Sequence, residues 1–181
     1  MKIPTLALGA LLVCASCRST IPARDPVGEP FPSVVGESLD GVEVRLPQDF
    51  AGAPVVLLVA FRQNAQFDLD RWILGLAQAA TPVRVVEVPT IPGLVPGLFA
   101  GSIDGGMRRG IPIEDWGGVV TLYGDDARRV AEFTGTDPGL VGRVLLLDPH
   151  GDVVWSHARG YSAGALLELD ARVRSDRTWF E

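Results

Sequence analysis

The most sharply patterned part of the chain runs from Pro54 to Trp72. Eight residues, Pro54-Val-Val-Leu-Leu-Val-Ala-Phe61, are almost all apolar and β-prone. A run of this kind is the signature of a strand buried on both faces of a sheet. The pattern breaks at Arg62. From Asn64 onward the apolar residues Ala65, Leu69, Trp72, Ile73 and Leu76 recur at spacings of three and four, which marks one face of a helix. Asn64 suits the N-cap, and Asp68 and Asp70 suit the positive end of the helix dipole. Trp72 falls on the core side of this helix. The C-terminal end of the strand, where α/β proteins carry their sites, is then at Arg62 to Gln66.

The flanking chain supplies partners for this unit. Val42 to Leu46 alternates as a strand does, with Asp40-Gly41 as the turn before it. Pro47 to Ala53 is a connection with a short helical turn. Thr81-Pro82 ends the central helix, and Val83 to Val88 forms the next strand. Strand, helix, strand in this order predicts a right-handed crossover and a parallel pair. Pro89 to Pro96 is irregular, and Leu98 to Arg109 is a short helix weakened by glycines. Val119 to Tyr123 is a strand, and Asp125 to Phe133 a helix capped by Asp125 or Asp126. Arg143 to Trp155 is a hairpin, two apolar runs around Asp148-Pro-His-Gly151 with Gly151 in the left-handed region. Ser162 caps a last helix, Ala163 to Val173, whose Leu166, Leu169 and Val173 pack back on the sheet.

The first residues belong to a different class. Met1 to Cys17 combines Lys2, an apolar core from Leu6 to Val13, and Cys14-Ala-Ser-Cys17, the layout of an export signal. The last four residues resemble a bacterial lipobox with Cys17 as the acylated residue, although Cys14 stands where Leu is usual. Cleavage at Ser16 by an ordinary signal peptidase is the alternative, and an uncut anchor a third. The apolar run is short for a membrane span. Arg18 to Pro30, rich in Pro and polar residues, is expected to be a linker able to reach about 40 Å when extended. Phe31 to Glu181 then forms one domain.

Both cysteines, Cys14 and Cys17, lie in the leader. The folded part therefore has no disulfide, no thiol-disulfide exchange, no cysteine-based peroxide reduction and no thiolate metal site. The formal net charge is -6, and every basic residue after Lys2 is an arginine. Without a basic block, nucleic acid is not an expected partner. No cofactor motif is present: no nucleotide loop, no Ser-His-Asp arrangement and no paired-carboxylate motif. His150 and His157 do not form a metal-ligand pattern.

The candidate binding residues are Arg62, Gln66, Glu87 and Arg108. Arg62 and Glu87 each end a predicted strand, and as parallel neighbours they would meet above the sheet in an ion pair. Such a pair would either hold a partner segment or simply fix the turn. Gln66 would meet a ligand or cap the helix start. Arg108, beside Arg109 in a glycine-rich stretch, is a candidate anion contact or part of a solvated loop.

The order β, then β-α-β, an insert, a β-hairpin and a closing helix resembles the thioredoxin-like fold, an α/β fold with a central mixed sheet flanked by helices. In a thioredoxin the turn after the central strand holds Cys-x-x-Cys; here it holds Arg62-Gln-Asn-Ala-Gln66. Further motifs are Phe31-Pro32, Leu39-x-Gly41, Leu46-Pro47, Phe61-Arg62-x-x-x-Gln66 with Trp72, and Glu87-Val-Pro89. They continue with Met107-Arg108-x-Gly110-Ile111, Leu122-Tyr-Gly-Asp125, and Leu147-Asp148-x-x-Gly151 with Trp155. Together these resemble the family of the tenth assembly factor of the mitochondrial ATP synthase and its bacterial relatives, over about Phe31 to Gly160. The resemblance implies a non-catalytic protein that assists assembly of a membrane-embedded ATP synthase subunit. It departs in one respect: the mitochondrial proteins work from the matrix side, whereas this chain carries an export signal.

Two functions are therefore expected to compete. One is a cysteine-less lipoprotein of the bacterial cell envelope, facing the periplasm and binding an envelope or membrane protein. The other is a small-molecule binder or non-thiol enzyme using the Arg62, Gln66 and Glu87 cleft. A deep apolar pocket would favour the second, and a shallow polar groove the first.

Overall fold

The computed structural model of the chain describes residues 20–93 and 96–175. The expected leader, Met1 to Cys17, and with it lipidation at Cys17, lies outside the described residues.

Seven strands form one sheet: β1 (Val34–Ser38), β2 (Glu43–Leu46), β3 (Val55–Ala60), β4 (Arg84–Ile91), β5 (Val120–Tyr123), β6 (Arg143–Leu147) and β7 (Val153–His157). Their order across the sheet is β2-β1-β5-β4-β3-β6-β7. β3 and β4 pair in parallel, as do β4 and β5; the other pairings are antiparallel. The helices are α1 (Gln66–Gln78), α2 (Pro96–Gly110), α3 (Gly124–Thr134) and α4 (Ala163–Ser175). The sheet is thus mixed and covered on both faces.

The continuous apolar run of β3 follows from its place in the middle. Leu57 and Val59 face a core shared with Val86, Val88, Leu122 and Val130 of α3. Val56 and Leu58 face a second core with Leu69, Trp72 and Leu76 of α1 and Leu166 and Leu169 of α4. A strand buried on both faces has no polar positions to alternate with. Trp72 is fully buried, as its helical spacing implies, and meets Trp155, His157 and Tyr161 edge to face. The β6–β7 hairpin and the Ser162 cap form as the sequence implies. Gly151 has φ 90°, Asp148 Oδ1 accepts the N–H groups of His150 and Asp152, and Ser162 Oγ accepts the Ala165 N–H at 3.1 Å.

Four expectations need correction. A strand, β1, precedes the Asp40-Gly41 turn and makes a hairpin with β2; its Val-Val-Gly-Glu-Ser sequence lacks a clean alternation. Asn64 does not cap α1. A 3-10 turn, Gln63–Ala65, leads into the helix, whose N-cap is Ala65 with no side-chain bond. Neither Asp125 nor Asp126 caps α3; both lie in its first turn and pair with Arg128 and Arg129. Finally, the stretch expected to be a free linker is bound to the domain from Ile21 onward. The Ile21 carbonyl accepts the N–H groups of Thr136 and Asp137, Gly28 N–H donates to Val153, and Phe31 N–H donates to Gly151. The reason is an edge: β7 is the last strand of the sheet, and residues 28–31 satisfy backbone groups at its start that would otherwise face solvent.

Candidate functional site

The end of the sheet that carries the expected site is built from the turn after β3, the first turn of α1, and the loop from 135 to 142 that enters β6. The antiparallel register sets Arg143 beside Val59, so this loop arrives next to Arg62. Gly139 lies directly against the Arg62 side chain: a Cβ there would stand 2.6 Å from Arg62 Nε. The peptide between Asp137 and Pro138 is cis.

The structure separates Arg62 from Glu87. The parallel register places Leu58 beside Glu87 and Ala60 beside Pro89. β4 continues to Ile91, so Glu87 is inside the strand and not at its end. Arg62 is four residues beyond the position opposite Glu87, about 13 Å along the strand direction. Among the described residues no ion pair joins them, and Arg62 is exposed. The expected bridge over the sheet does not form.

Gln66 takes that place. Its Nε2 donates to Glu87 Oε2 at 2.9 Å and to Asp70 Oδ1 at 3.0 Å. Glu87 is half-buried, and burial pushes its carboxyl above its ordinary value. The Gln66 hydrogen bond opposes that rise, while Asp70 and Asp115 add to it. Arg108 lies elsewhere, in the last turn of α2. Its Nε donates to the Leu39 carbonyl at 2.6 Å, and its guanidinium lies 5.7 Å from the Trp116 ring centre. Arg108 thus holds α2 against the β1–β2 turn and is not part of a solvated loop. Of the four candidates, Gln66 and Glu87 come together; Arg62 and Arg108 each stand apart.

Two charged residues that the sequence pattern did not assign to the site fix the other flank. Asp68 is 9% exposed. Its Oδ2 accepts the Gly142 N–H at 2.9 Å, and its Oδ1 the Tyr161 N–H at 2.6 Å. It ties the β3–α1 turn to the loops before β6 and after β7 rather than serving the helix dipole alone. Gly142 is required by this closeness, since a Cβ there would stand 2.2 Å from Leu69. Arg143 is 1% exposed. Its Nη1 donates to the Val141 and Pro138 carbonyls at 3.1 and 3.3 Å, and it lies 5.9 Å from the Phe61 ring centre. Burial lowers its pKa. It shares a strand face with Leu145 and Leu147, but β6 is buried on both faces, so alternation alone did not mark it.

Two clefts among the described residues lie away from this end. One of about 310 Å³ is lined by Gly36, Glu37, Glu43 and Tyr123 among others, and one of about 170 Å³ by Phe50, Pro54 and Arg84 among others. No group of His, Cys, Asp and Glu among the described residues is arranged to hold a metal. What the end presents outward is a polar surface with two exposed apolar side chains, Phe67 and Leu140, 75% and 58% exposed.

With its mixed sheet, covered faces and parallel β3–β4 core, the chain has a thioredoxin-like fold. No protein-family model and no curated protein matches it. Many solved structures do. A thiol peroxidase from Chromobacterium violaceum is 14% identical, with a TM-score of 0.58 over 87% of this chain and 92% of that one. BsSco, a member of the Sco family of cytochrome c oxidase assembly proteins, is 13% identical, with a TM-score of 0.57 over 86% and 99%. The exposed lipoprotein thioredoxin Etrx1 of Streptococcus pneumoniae is 16% identical, with a TM-score of 0.52 over 78% and 99%. Three such different names on one architecture show that the likeness carries the fold and not the activity.

Proposed function

We propose that this protein is a non-catalytic, thioredoxin-like lipoprotein, held at Cys17 in the bacterial cell envelope, whose Arg62–Gln66 end binds an envelope or membrane protein. One observation carries the reading. The turn where redox relatives place Cys-x-x-Cys holds Arg62-Gln63-Asn64-Ala65-Gln66, and no cysteine occurs after Cys17. Thiolate chemistry has no nucleophile there. The open, polar character of the same end supports recognition of a surface over enclosure of a small molecule. No helix among the described residues is long and apolar enough to cross a membrane, so attachment in this reading comes from lipid at Cys17. The finer role, assembly of a membrane-embedded ATP synthase subunit, rests on the Phe61-Arg62-x-x-x-Gln66 and Glu87-Val88-Pro89 motifs. The fold is shared with an assembly protein of cytochrome c oxidase, so work of this kind is compatible with it.

A second reading, a small-molecule binder or non-thiol enzyme, draws on Glu87. A half-buried carboxyl with a raised pKa is a recurrent feature of active sites. The experiment that separates the two pairs activity with contact. A chain starting at Arg18 should give background rates in insulin-reduction and peroxide-consumption assays. A photo-crosslinking residue in place of Gln63 should give a discrete protein adduct in intact envelopes, and the same residue in place of Ala53 should not. Turnover by the cysteine-free chain, or equal adducts from both positions, would overturn the first reading.

A further inference from the structure

The N-terminal segment does more than cover an edge. It runs along β7, from the start of that strand to the loop beside Arg62. Phe31 and Gly28 are held at the far end by Gly151 and Val153. Asp25 Oδ1 accepts the Ser156 hydroxyl at 2.5 Å. Arg24 N–H donates to the Thr134 carbonyl, and the Arg24 guanidinium lies 5.6 Å from the Phe133 ring centre. Ile21 is fixed three ways. Its N–H donates to Thr136 Oγ1 at 3.0 Å, and its carbonyl accepts from the Thr136 and Asp137 N–H groups at 2.8 and 3.0 Å. Gly135, at φ 73°, allows this seat: a Cβ there would stand 2.1 Å from the Pro22 carbonyl oxygen. Two residues past Asp137 is Gly139, which touches Arg62.

The chain therefore leaves the domain at the same end as the Arg62 turn. Four residue steps separate Ile21 from Cys17, a reach of about 14 Å at full extension. A domain of this size is about 40 Å across. We propose that residues 21–31 are a strap that holds the Arg62–Gly139 end of the domain against the lipid surface in which Cys17 is anchored. Phe67 and Leu140, the large exposed apolar side chains of that end, then meet the headgroup layer. This rests on the lipoprotein reading above. Electrostatics does not supply the contact, because a chain of net charge -6 is repelled by anionic lipid. The short covalent tether does, and burial of apolar side chains adds to it. The free reach of about 40 Å that the sequence suggests for residues 18–30 is lost because most of them are bonded to the domain.

The test uses the full-length lipoprotein, purified from membranes and reconstituted into vesicles of phosphatidylethanolamine and phosphatidylcholine. The folded part has no native thiol, so Gln63→Cys and Ala53→Cys each give one labelling position, at the near and far ends. A fluorescent label at Gln63→Cys should be quenched several-fold more strongly by a headgroup-attached quencher than one at Ala53→Cys. Inserting a flexible Gly/Ser segment between Arg18 and Ser19, long enough to span the domain, should bring the two close to equal. Equal quenching in a chain whose mass shows lipid on Cys17 overturns the strap. A difference that survives the insertion does so too, since the apolar end would then dock without it. A difference seen in native envelopes but not in these vesicles overturns the lipid surface as occupant and points to a membrane protein. A mass without lipid on Cys17 instead overturns the lipoprotein reading itself.

Discussion

The two flanks of the Arg62 turn are built on opposite plans. On the β6–β7 side, Asp68 and Arg143 are buried and bonded to backbone groups, Asp68 to loops 74 and 93 residues away and Arg143 to the loop that leads into its own strand. On the β4 side, half-buried Gln66 and Glu87 and exposed Asp70 form a cluster of side chains bonded mainly to one another. A buried group bonded to backbone fixes loop positions, because losing it strands an N–H or a carbonyl. Side-chain clusters at the surface can exchange partners at small cost. The first flank is therefore scaffold, and the second is the part whose contacts can rearrange. Arg62 stands between them, exposed and close to Gly139, and committed to neither.

The largest effect that would break this contrast is at Asp68. Asp68→Ala should cost about 3 kcal/mol in urea unfolding, from two lost hydrogen bonds and two stranded N–H groups. A loss below about 1 kcal/mol, typical of an ordinary substitution, would make the two flanks equivalent. Next comes the pairing on the open flank. A double-mutant cycle on Gln66→Ala and Glu87→Ala should return a coupling of about 1 kcal/mol, while Arg62→Ala with Glu87→Ala should be additive within about 0.3 kcal/mol. Coupling between Arg62 and Glu87 would mean that they meet after all.

The pH dependence of Glu87 sharpens the same point. Its carboxyl is held above the ordinary value, chiefly by burial. The neutral form is the one the fold favours, so its contribution is whole below the ordinary carboxylate range and is lost as pH rises through the raised value. Glu87→Gln keeps an acceptor for Gln66 and never charges. Its stability relative to the parent chain should therefore rise across that window in thermal melts at stepped pH. A flat difference would place Glu87 in water. The smallest effect is expected at Arg62, where Arg62→Ala should change stability by less than about 0.5 kcal/mol. The same change should weaken crosslinking at Gln63 if the open end is the binding end; unchanged adducts would move the partner elsewhere.

Much of the architecture was legible in order. The β3 run, the spacing of Leu69, Trp72 and Leu76, the Pro-Gly turn before Gly151 and the Ser162 cap each describe a local event. Each is recorded in a few neighbouring residues. Local periodicity could also point to Arg62 to Gln66 as a candidate site. It could not say which side chains would meet there. The β3–β4 register sets Glu87 opposite Leu58, four residues short of Arg62, inside a strand that continues to Ile91, and so leaves it beside Gln66.

What only the tertiary structure decided was pairing across long separations. Asp68 finds Gly142 and Tyr161, 74 and 93 residues away, and Ile21 finds Thr136, 115 residues away. The sequence by itself determined that no cysteine lies after Cys17, because that is a matter of composition. It also determined roughly where most strands and helices lie, though not β1 or the end of β4, because backbone preference and burial periodicity act over a few residues. Registers and long-range hydrogen bonds depend on how whole segments close against one another. A shift of two residues in one strand leaves every local pattern intact and changes every partner.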